Sequence, residues 1–236
     1  MSIQQELRKY AHPDKIKIYQ NFFKTGPGEY GEGDIFIGLT VPDTRAVAKK
    51  YLDLSLEEVK KILESKVHED RLAGLLILVA KFDKFPEKRK ELFEFYLKNT
   101  KHINNWDLVD LSAYQIIGRY IFQEGKENPL LASILIKLSK SKNLWEKRIA
   151  IVSTYYFIKN NRFDETSHIA EILLNDSHDL IHKAVGWMLR EVGNRDLKTL
   201  EYFLKKHYKK MPRTMLRYAI EKFPEEKRQK YLKGEV

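Results

Sequence analysis

One internal repeat constrains this chain more than any other sequence feature. Polar residues that sit beside a small residue recur at intervals of 39, 38, 35 and 34 residues, at Arg71, Asp110, Arg148, Lys183 and Arg217. This interval is near the period of HEAT-type helix pairs, which bury their apolar faces by stacking on one another. The sequence therefore predicts an all-α, HEAT-like helical-repeat solenoid, an α-α superhelix, with these five side chains in a row along one face.

Apolar periodicity supports helices throughout the chain. Residues 72–79 form an apolar run typical of a buried helix, and start signals such as Ser55, Asn105 and Asn128-Pro129 precede other periodic segments. Residues 24–40 differ because they contain five glycines, and we interpret them as an ordered loop. We expect a single domain over residues 1–236, with N-terminal helices and this loop in 1–40 and a helix-pair array in 41–236.

Charge narrows the class of partner. The chain has 43 Lys and Arg against 33 Asp and Glu, a net charge of +10. This excess favours polyanions, with nucleic acid first and an acidic membrane surface second. A soluble protein that is merely basic is the alternative that charge alone leaves open.

Cysteine content and hydropathy indicate the cellular compartment. The chain has no cysteine, which excludes disulfides and thiolate metal sites and favours a reducing compartment. No apolar segment follows Met1 as in a signal peptide, and no apolar run approaches the ~18 residues of a membrane span. We expect a cytoplasmic monomer without membrane contact.

Two motifs that suggest cofactor or metal binding are weak. Gly26, Gly28 and Gly31 match the G-x-G-x-x-G dinucleotide fingerprint, but a helical segment precedes them and no βαβ pattern follows. His178 and His182 have i, i+4 spacing, which suits two metal ligands, yet no third ligand is evident. Solvated histidines on a helix surface explain this pair better.

The segment around Trp106 holds the most informative carboxylate. Asn105 is the predicted N-cap, so Asp107 falls in the first turn, where it offsets the helix dipole and its removal should cost no more than ~1 kcal/mol. Asp110 lies a turn further in and shares a helix face with Trp106. One interpretation of Asp110 is a structural ion pair with Arg148 or Arg71, and the other is a functional acid in a basic row.

Cations accompany the other two tryptophans. Trp145 and Arg148 have i, i+3 spacing, and Lys183 and Trp187 have i, i+4 spacing. We expect Trp145 in the core and Trp106 and Trp187 partly exposed. The basic run 205–210 contains an aromatic and suits phosphate contact, although a solvated helix end explains it equally well.

Together, several segments resemble the DNA alkylation repair enzymes, the AlkD-like DNA glycosylases with HEAT-like repeats. The resemblance runs nearly the full length and is carried by residues 36–38, 41–42, 68–73, 106–110, 144–148 and 183–191. It implies excision of cationic N3- or N7-alkylated purines from duplex DNA in base excision repair. The chemistry of such a leaving group requires no metal or redox cofactor.

The resemblance also assigns roles to residues of this chain. It implies that Asp110 is the catalytic acid, that Trp106 and Trp187 are its accompanying aromatics, and that Arg148 contacts phosphate. The family has a further aromatic near the N-terminus, which here falls among Phe22 and Phe23. With the basic row, we expect a DNA-binding set of Arg71, Arg148, Lys183, Arg190 and Arg217.

Two functions of different classes follow. The first is a DNA glycosylase, and the second is a non-catalytic HEAT-repeat module that binds DNA or another acidic partner. Asp110 with Trp106 and Trp187 favours the glycosylase, because a module that only binds DNA needs no carboxylate in a basic groove.

Overall fold

The computed structural model describes residues 1–125, 128 and 130–236. In this part of the chain no residue lies in a β-strand, apart from one isolated bridge between Ile35 and Val67. The prediction of an all-α helical-repeat fold is confirmed. Pro129, half of one expected helix start, lies outside the described residues. No described helix is both long enough and apolar enough to cross a bilayer.

The chain separates into two compact units, Met1–Ser112 and Ala113–Val236. The single domain over residues 1–236 therefore remains a prediction. The helices of the first unit are α1 Ile3–Arg8, α2 Pro13–Phe22, α3 Val41–Ala48, α4 Leu56–Leu63, α5 His68–Lys84, α6 Arg89–Lys98 and α7 Trp106–Asp110, with short 3-10 turns at Lys49–Tyr51, Pro86–Lys88 and Thr100–His102.

The second unit begins with a π-helical turn at Tyr114–Gly118. Its helices are α8 Arg119–Glu124, α9 Leu130–Ser139, α10 Leu144–Ser153, α11 Tyr155–Lys159, α12 Asp164–Ile172, α13 Asp179–Arg195, α14 Leu197–His207, α15 Arg213–Ala219 and α16 Glu225–Lys233.

The centre of the first unit is α5. Its apolar run at residues 72–79 is buried, as the sequence predicts, and α3 and α4 pack against it. Ser55 caps α4 in a capping box with Glu58, and Thr40 caps α3. These caps satisfy backbone N–H groups that a helix start leaves without intrahelical partners, so they fix where α3 and α4 begin.

The glycine-rich segment is an ordered loop, as expected. It runs from the end of α2 to the start of α3 without a regular helix. Gly38 has φ +86°, and a Cβ at this position would lie 2.1 Å from the carbonyl oxygen of His12. Only glycine fits both the backbone conformation and the close approach, so the loop is fixed against the start of α2.

In the second unit, α10, α13 and α15 pack in succession and carry Arg148, Lys183 and Arg217. The small residues expected beside the repeat positions are buried, namely Ala73 and Ala113 as well as Ala150, Ala184 and Ala219. The repeat interval thus corresponds to helices that pack through small side chains.

Candidate active site

A largely apolar cavity of about 350 Å³ lies in the first unit. Its walls come from α2, the glycine-rich loop, α3, α5 and α7. Six of the lining residues are aromatic or histidine side chains whose rings contact one another by stacking or edge-on, and three are acidic. The lining consists of Tyr19, Phe22, Phe23, Phe36, Leu39, Val41, His68, Glu69, Leu72, Trp106, Asp107, Asp110 and Leu111. The volume suits a small aromatic ligand.

Stacked rings form the aromatic wall. Phe23 is buried, and its ring stacks on Phe36 with centroids 5.0 Å apart and on Trp106 with centroids 5.3 Å apart. Phe22 meets the edge of Trp106 at 5.6 Å and is 59% exposed. Both phenylalanines that the sequence offers for the N-terminal aromatic therefore contact Trp106. Phe23 belongs to the packed wall, and Phe22 lies where solvent reaches it.

The short helix α7 presents Trp106 and Asp110 to the cavity. The predicted N-cap is confirmed, since the side chain of Asn105 accepts a hydrogen bond of 2.8 Å from the Trp106 N–H. Trp106 and Asp110 are one helical turn apart and half-buried, whereas Leu108 and Val109 are fully buried on the other side. Burial, together with the negative charge of Asp110, raises the pKa of Tyr96.

A buried chain of charged side chains holds α7 in place. His68 joins two aspartates, with its Nδ1 3.1 Å from Asp34 Oδ2 and its Nε2 2.8 Å from Asp107 Oδ2. Asp34 Oδ2 also accepts a hydrogen bond of 3.1 Å from Asn105 Nδ2. We call Asp34, His68, Arg71 and Asp107 the buried quartet. It links the glycine-rich loop and α5 to the first turn of α7.

Contacts within the quartet shift the pKa values of His68 and Asp34. Burial alone lowers the pKa of His68, but the carboxylates of Asp107 and Asp34 outweigh it and raise that pKa to about 9. Burial raises the pKa of Asp34, yet hydrogen bonding to His68 and the charge of Arg71 leave it below its ordinary value. His68 is therefore an imidazolium at neutral pH, and its charge is matched by neighbouring carboxylates.

Arg71 is buried and its guanidinium is bonded within the protein. Its side chain is 5% exposed, its Nη2 donates to Asp34 Oδ1 at 2.6 Å, and its Nη1 donates to the Ser65 carbonyl oxygen at 3.0 Å. A buried guanidinium that compensates a buried carboxylate is not available to phosphate, since leaving Asp34 uncompensated would be costly. The expectation that Arg71 contacts DNA conflicts with its burial and pairing.

The two acidic residues before Arg71 are also structural. Asp70 forms a bidentate pair with Arg8, with distances of 2.8 and 3.0 Å. Glu69 Oε1 accepts hydrogen bonds from the backbone N–H groups of residues 37, 38 and 39, at 3.1, 2.8 and 3.2 Å. Burial raises the pKa of Glu69 despite these bonds. Glu69 thus holds the loop that forms one cavity wall.

Sequence reasoning missed Asp34, His68 and Glu69 as residues that shape the site. The available signal was their position in the chain. Four ionisable residues in a row, 68–71, directly precede a buried apolar run, and ionisable side chains at such a place must find partners inside the protein. The sequence does not indicate that Asp34 is the partner of two of them.

The second unit contains Trp187 and Arg148. Trp187 is half-buried as expected, its Nε1 donates to Glu191 Oε1 at 3.2 Å, and its ring lies 6.0 Å from that of Tyr155. Arg148 is 5% exposed, and its Nη1 donates to the Leu180 carbonyl oxygen at 2.7 Å. Trp145 is buried, which confirms its expected core position.

The remaining members of the DNA-binding set differ in their surroundings. Lys183 pairs with Asp179 one turn away at 2.7 Å, and Arg190 pairs with Glu221. Arg217 is exposed on α15. The three cations therefore lie on the packed helices α13 and α15, and two of them are already matched by an acid.

The two weak motifs have structural roles. His178 caps α13, since its Nδ1 accepts from the Leu180 N–H at 3.1 Å, and the His182 ring lies 2.5 Å from the Asp176 carbonyl oxygen. In the glycine motif, Glu29 and Glu32 accept from the N–H groups of Gly26 and Gly28. The backbone donors that would bind a pyrophosphate are therefore occupied by carboxylates of the same loop.

Comparisons with known proteins place the chain in a family. The sequence profile described as "DNA alkylation repair enzyme" matches residues 3–223. No curated protein sequence matches the chain. Among solved structures, the chain is similar to a "Predicted DNA alkylation repair enzyme from Enterococcus faecalis", with a TM-score of 0.69 and 16% identity, covering 90% of this chain and 96% of that one. That likeness to a solved structure concerns the fold alone. The family profile spans nearly all of the sequence. The chain therefore belongs to the DNA alkylation repair enzyme family.

Proposed function

We propose that this protein is a DNA N-glycosylase, a hydrolase that excises cationic N3- or N7-alkylated purines from duplex DNA. Family membership supports a role in the repair of alkylated DNA. The observation that carries the finer proposal is the half-buried carboxylate of Asp110 in the wall of the aromatic cavity, one turn from Trp106. A module that only binds DNA has no use for an acid at this place.

The chemistry needs little more than a correctly placed carboxylate. Alkylation at N3 or N7 makes the purine cationic, so the bond from C1′ to N9 breaks with its electron pair leaving on the base, which becomes neutral. The deoxyribose then carries oxocarbenium character, which the Asp110 carboxylate stabilises. A water oxygen bonds to C1′ and loses a proton, and Asp110 can orient this water.

The cavity lining supports a preference for cations. Trp106 is half-buried and Phe22 is 59% exposed in this lining, and a cation over the face of an aromatic ring contributes about 0.5–2 kcal/mol. The lining also has three carboxylates, Glu69, Asp107 and Asp110, against one imidazole. We expect neutral lesions to be poor substrates, because the His68 imidazolium in this lining is bonded through both ring nitrogens to Asp34 and Asp107 and so offers no proton to a poor leaving group.

For residues of the second unit we propose roles from their chemistry alone. Trp187 offers a second half-buried indole for a cationic base or sugar, and Arg148, Lys183, Arg190 and Arg217 are the proposed phosphate contacts. Arg148 is nearly covered and bonded to the carbonyl of Leu180, so its contribution to DNA binding would require contact through the small exposed part of its guanidinium.

Single-turnover excision of 7-methylguanine from duplex DNA tests the proposal. Asp110→Asn keeps the side-chain shape and removes the charge, so excision should slow by about 100-fold or more while DNA binding is retained. Asp53→Asn is the matched control, since Asp53 is exposed in the same unit and does not line the cavity. It should excise at the wild-type rate.

Two outcomes would overturn the proposal. Wild-type excision by folded Asp110→Asn protein would contradict the assignment of Asp110. Retained DNA binding without any base release by the wild-type protein would favour the non-catalytic binding module instead.

A further inference from the structure

A lysine-rich surface on α14 has no role in the proposed chemistry. Residues 197–211 contain five lysines and one glutamate, a net charge of +4 within a chain of net charge +10. We call Lys198, Lys205, Lys206, Lys209 and Lys210 the α14 lysine surface. A short segment of one helix and its following turn thus carries a large share of the excess positive charge.

The helix directs these lysines away from the protein interior. Leu200, Phe203 and Leu204 form the buried face of α14, which packs against α13. Lys198, Lys205 and Lys206 are exposed on the remaining faces of the helix, and Lys209 and Lys210 are exposed in the turn that follows it. Lys198 and Lys205 are seven residues apart, about 10 Å along a helix, which corresponds to about three nucleotide steps of one DNA strand.

An exposed aromatic side chain accompanies the lysines. Tyr202 is 63% exposed, and Lys206 Nζ lies 4.2 Å from its ring centroid. Such a contact restricts a flexible lysine without neutralising it, so the ammonium group stays available to an anion. Tyr202 therefore reduces the conformational entropy that Lys206 would lose on binding a phosphate.

The lysines at the end of α14 are less closely paired than the cations of α13, although the charge of Glu171 acts on Lys206. In the described part of the chain, none of Lys205, Lys206, Lys209 and Lys210 forms an ion pair, whereas Lys183 and Arg190 on α13 do. The acid within the segment, Glu201, is itself paired with Lys227. A lysine without an acidic partner can bind phosphate without first breaking an internal pair, so α14 is better prepared for this contact than the cations of α13.

We propose that the α14 lysine surface is a second DNA-contacting surface, which binds the phosphate backbone of duplex DNA without reading its sequence. The choice of DNA as the polyanion rests on the proposed function. An acidic lipid surface fits less well, because the apolar face of α14 is buried against α13 and leaves no apolar stripe to insert between headgroups.

The test is the salt dependence of binding to undamaged duplex DNA. A quadruple variant, Lys205→Gln with Lys206→Gln, Lys209→Gln and Lys210→Gln, keeps helix propensity nearly constant. Since each neutralised phosphate contributes about −0.9 to the slope of log K against log salt, we expect the slope to flatten by about 2–4 units. Unchanged circular dichroism and unfolding midpoint would show that the variant is folded.

A second quadruple variant controls for net charge. Lys60, Lys61, Lys98 and Lys101 are exposed in the first unit, where Glu57, Glu91 and Glu94 lie among three of them. Changing these four to Gln removes the same total charge, and we expect the slope to change by less than one unit. Equal slopes of log K against log salt in the two quadruple variants would overturn the proposal, since DNA binding would then depend only on the net charge of the protein.

Two further measurements separate the possible failures. Excision of 7-methylguanine at saturating enzyme should be unchanged in the α14 variant, and absence of excision in every protein would refute the glycosylase alone. Sedimentation with phosphatidylserine-containing vesicles tests the other polyanion. Loss of vesicle binding in the α14 variant with unaltered DNA binding would refute the DNA surface.

Discussion

At the residue scale, two aspartates three positions apart have different surroundings. Asp107 is buried and bonded to His68, whereas Asp110 is half-buried at the cavity. The position of Asp107 in the first turn of α7, which the sequence predicts, is confirmed. Its low expected cost of removal is not supported, because a buried partner of an imidazolium contributes more than a carboxylate at a helix start.

We predict that Asp107→Asn lowers the free energy of unfolding by about 3 kcal/mol. The change removes the charge that compensates buried His68, and breaking a buried pair typically costs about 3–5 kcal/mol. Urea denaturation of the variant gives the value. Asp53→Asn, on the exposed surface, should stay within about 0.5 kcal/mol of the wild type. A loss below 1 kcal/mol for Asp107→Asn would mean that helix capping alone describes this residue.

The two neighbouring phenylalanines offer a second contrast. Phe23→Ala removes a buried ring stacked on Phe36 and Trp106, and we expect a loss of about 3–5 kcal/mol of stability. Phe22→Ala removes a ring that is 59% exposed, so stability should fall by less than about 1 kcal/mol while excision of 7-methylguanine slows. Thermal unfolding together with single-turnover excision distinguishes the two. A normal excision rate for Phe22→Ala would remove Phe22 from the proposed site.

The sequence predicts the part of the site that lies on a single helix, α7. Trp106 and Asp110 share a face because they are four residues apart on one helix, and Asn105 caps that helix through its own neighbour. The pairing of Asp34 with His68 was not predictable, since it joins a loop to a helix start 34 residues later without any periodicity. The repeat predicts a DNA contact for Arg71 because it shows the charge and spacing of this residue but not its burial.

At the scale of elements, the packing of α13 against α15 depends on one glycine. A Cβ added at Gly186 would lie 2.5 Å from the carbonyl oxygen of Met215 and 2.5 Å from Cβ of Tyr218. The repeat pattern predicts small residues at such contacts, and the buried side chains of Ala184 and Ala219 confirm it. The division between Ser112 and Ala113 was not predicted, because no proline, glycine or polar linker marks it.

We predict that Gly186→Ala destabilises the protein by about 1–3 kcal/mol. In an exposed helix interior the same change would stabilise by about 1 kcal/mol through helix propensity, so the sign itself reports the close approach of α15. The measurement is urea denaturation. Asn194→Ala, at an exposed position of α13, is the control and should be neutral or slightly stabilising. A stabilised Gly186→Ala protein would show that α15 shifts without cost.

At the scale of the whole molecule, one buried imidazolium links stability to pH. The folded-state pKa of His68 is about 9, above its ordinary value of 6.5, so folding binds a proton between these values. The contribution of the charged His68 to the free energy of unfolding is complete below pH 6.5 and is lost as the pH rises toward 9. Burial lowers the pKa of His102 and of His178. These two histidines therefore affect stability only below pH 6.5, where they lower it as the pH falls.

We predict that the free energy of unfolding falls by roughly 3 kcal/mol between pH 6.5 and pH 9, since each pKa unit corresponds to about 1.4 kcal/mol. Urea denaturation across this pH range measures the loss. In His68→Gln the dependence over the same range should largely disappear, although the variant will be less stable at pH 6.5. A wild-type stability that is flat from pH 6.5 to 9 would contradict a charged His68.

The buried quartet has a consequence for the order of synthesis. Its links join Asp34 to His68 and Arg71, and His68 to Asp107, so they connect segments more than 70 positions apart in the chain. In a nascent chain that ends before residue 105, His68 lacks its partner Asp107 and Asp34 lacks its partner Asn105. The aromatic cavity also lacks the wall that Trp106 forms. We therefore expect the loop, α5 and α7 to fold as one cooperative unit, so that their amide protons exchange with solvent together rather than one segment at a time.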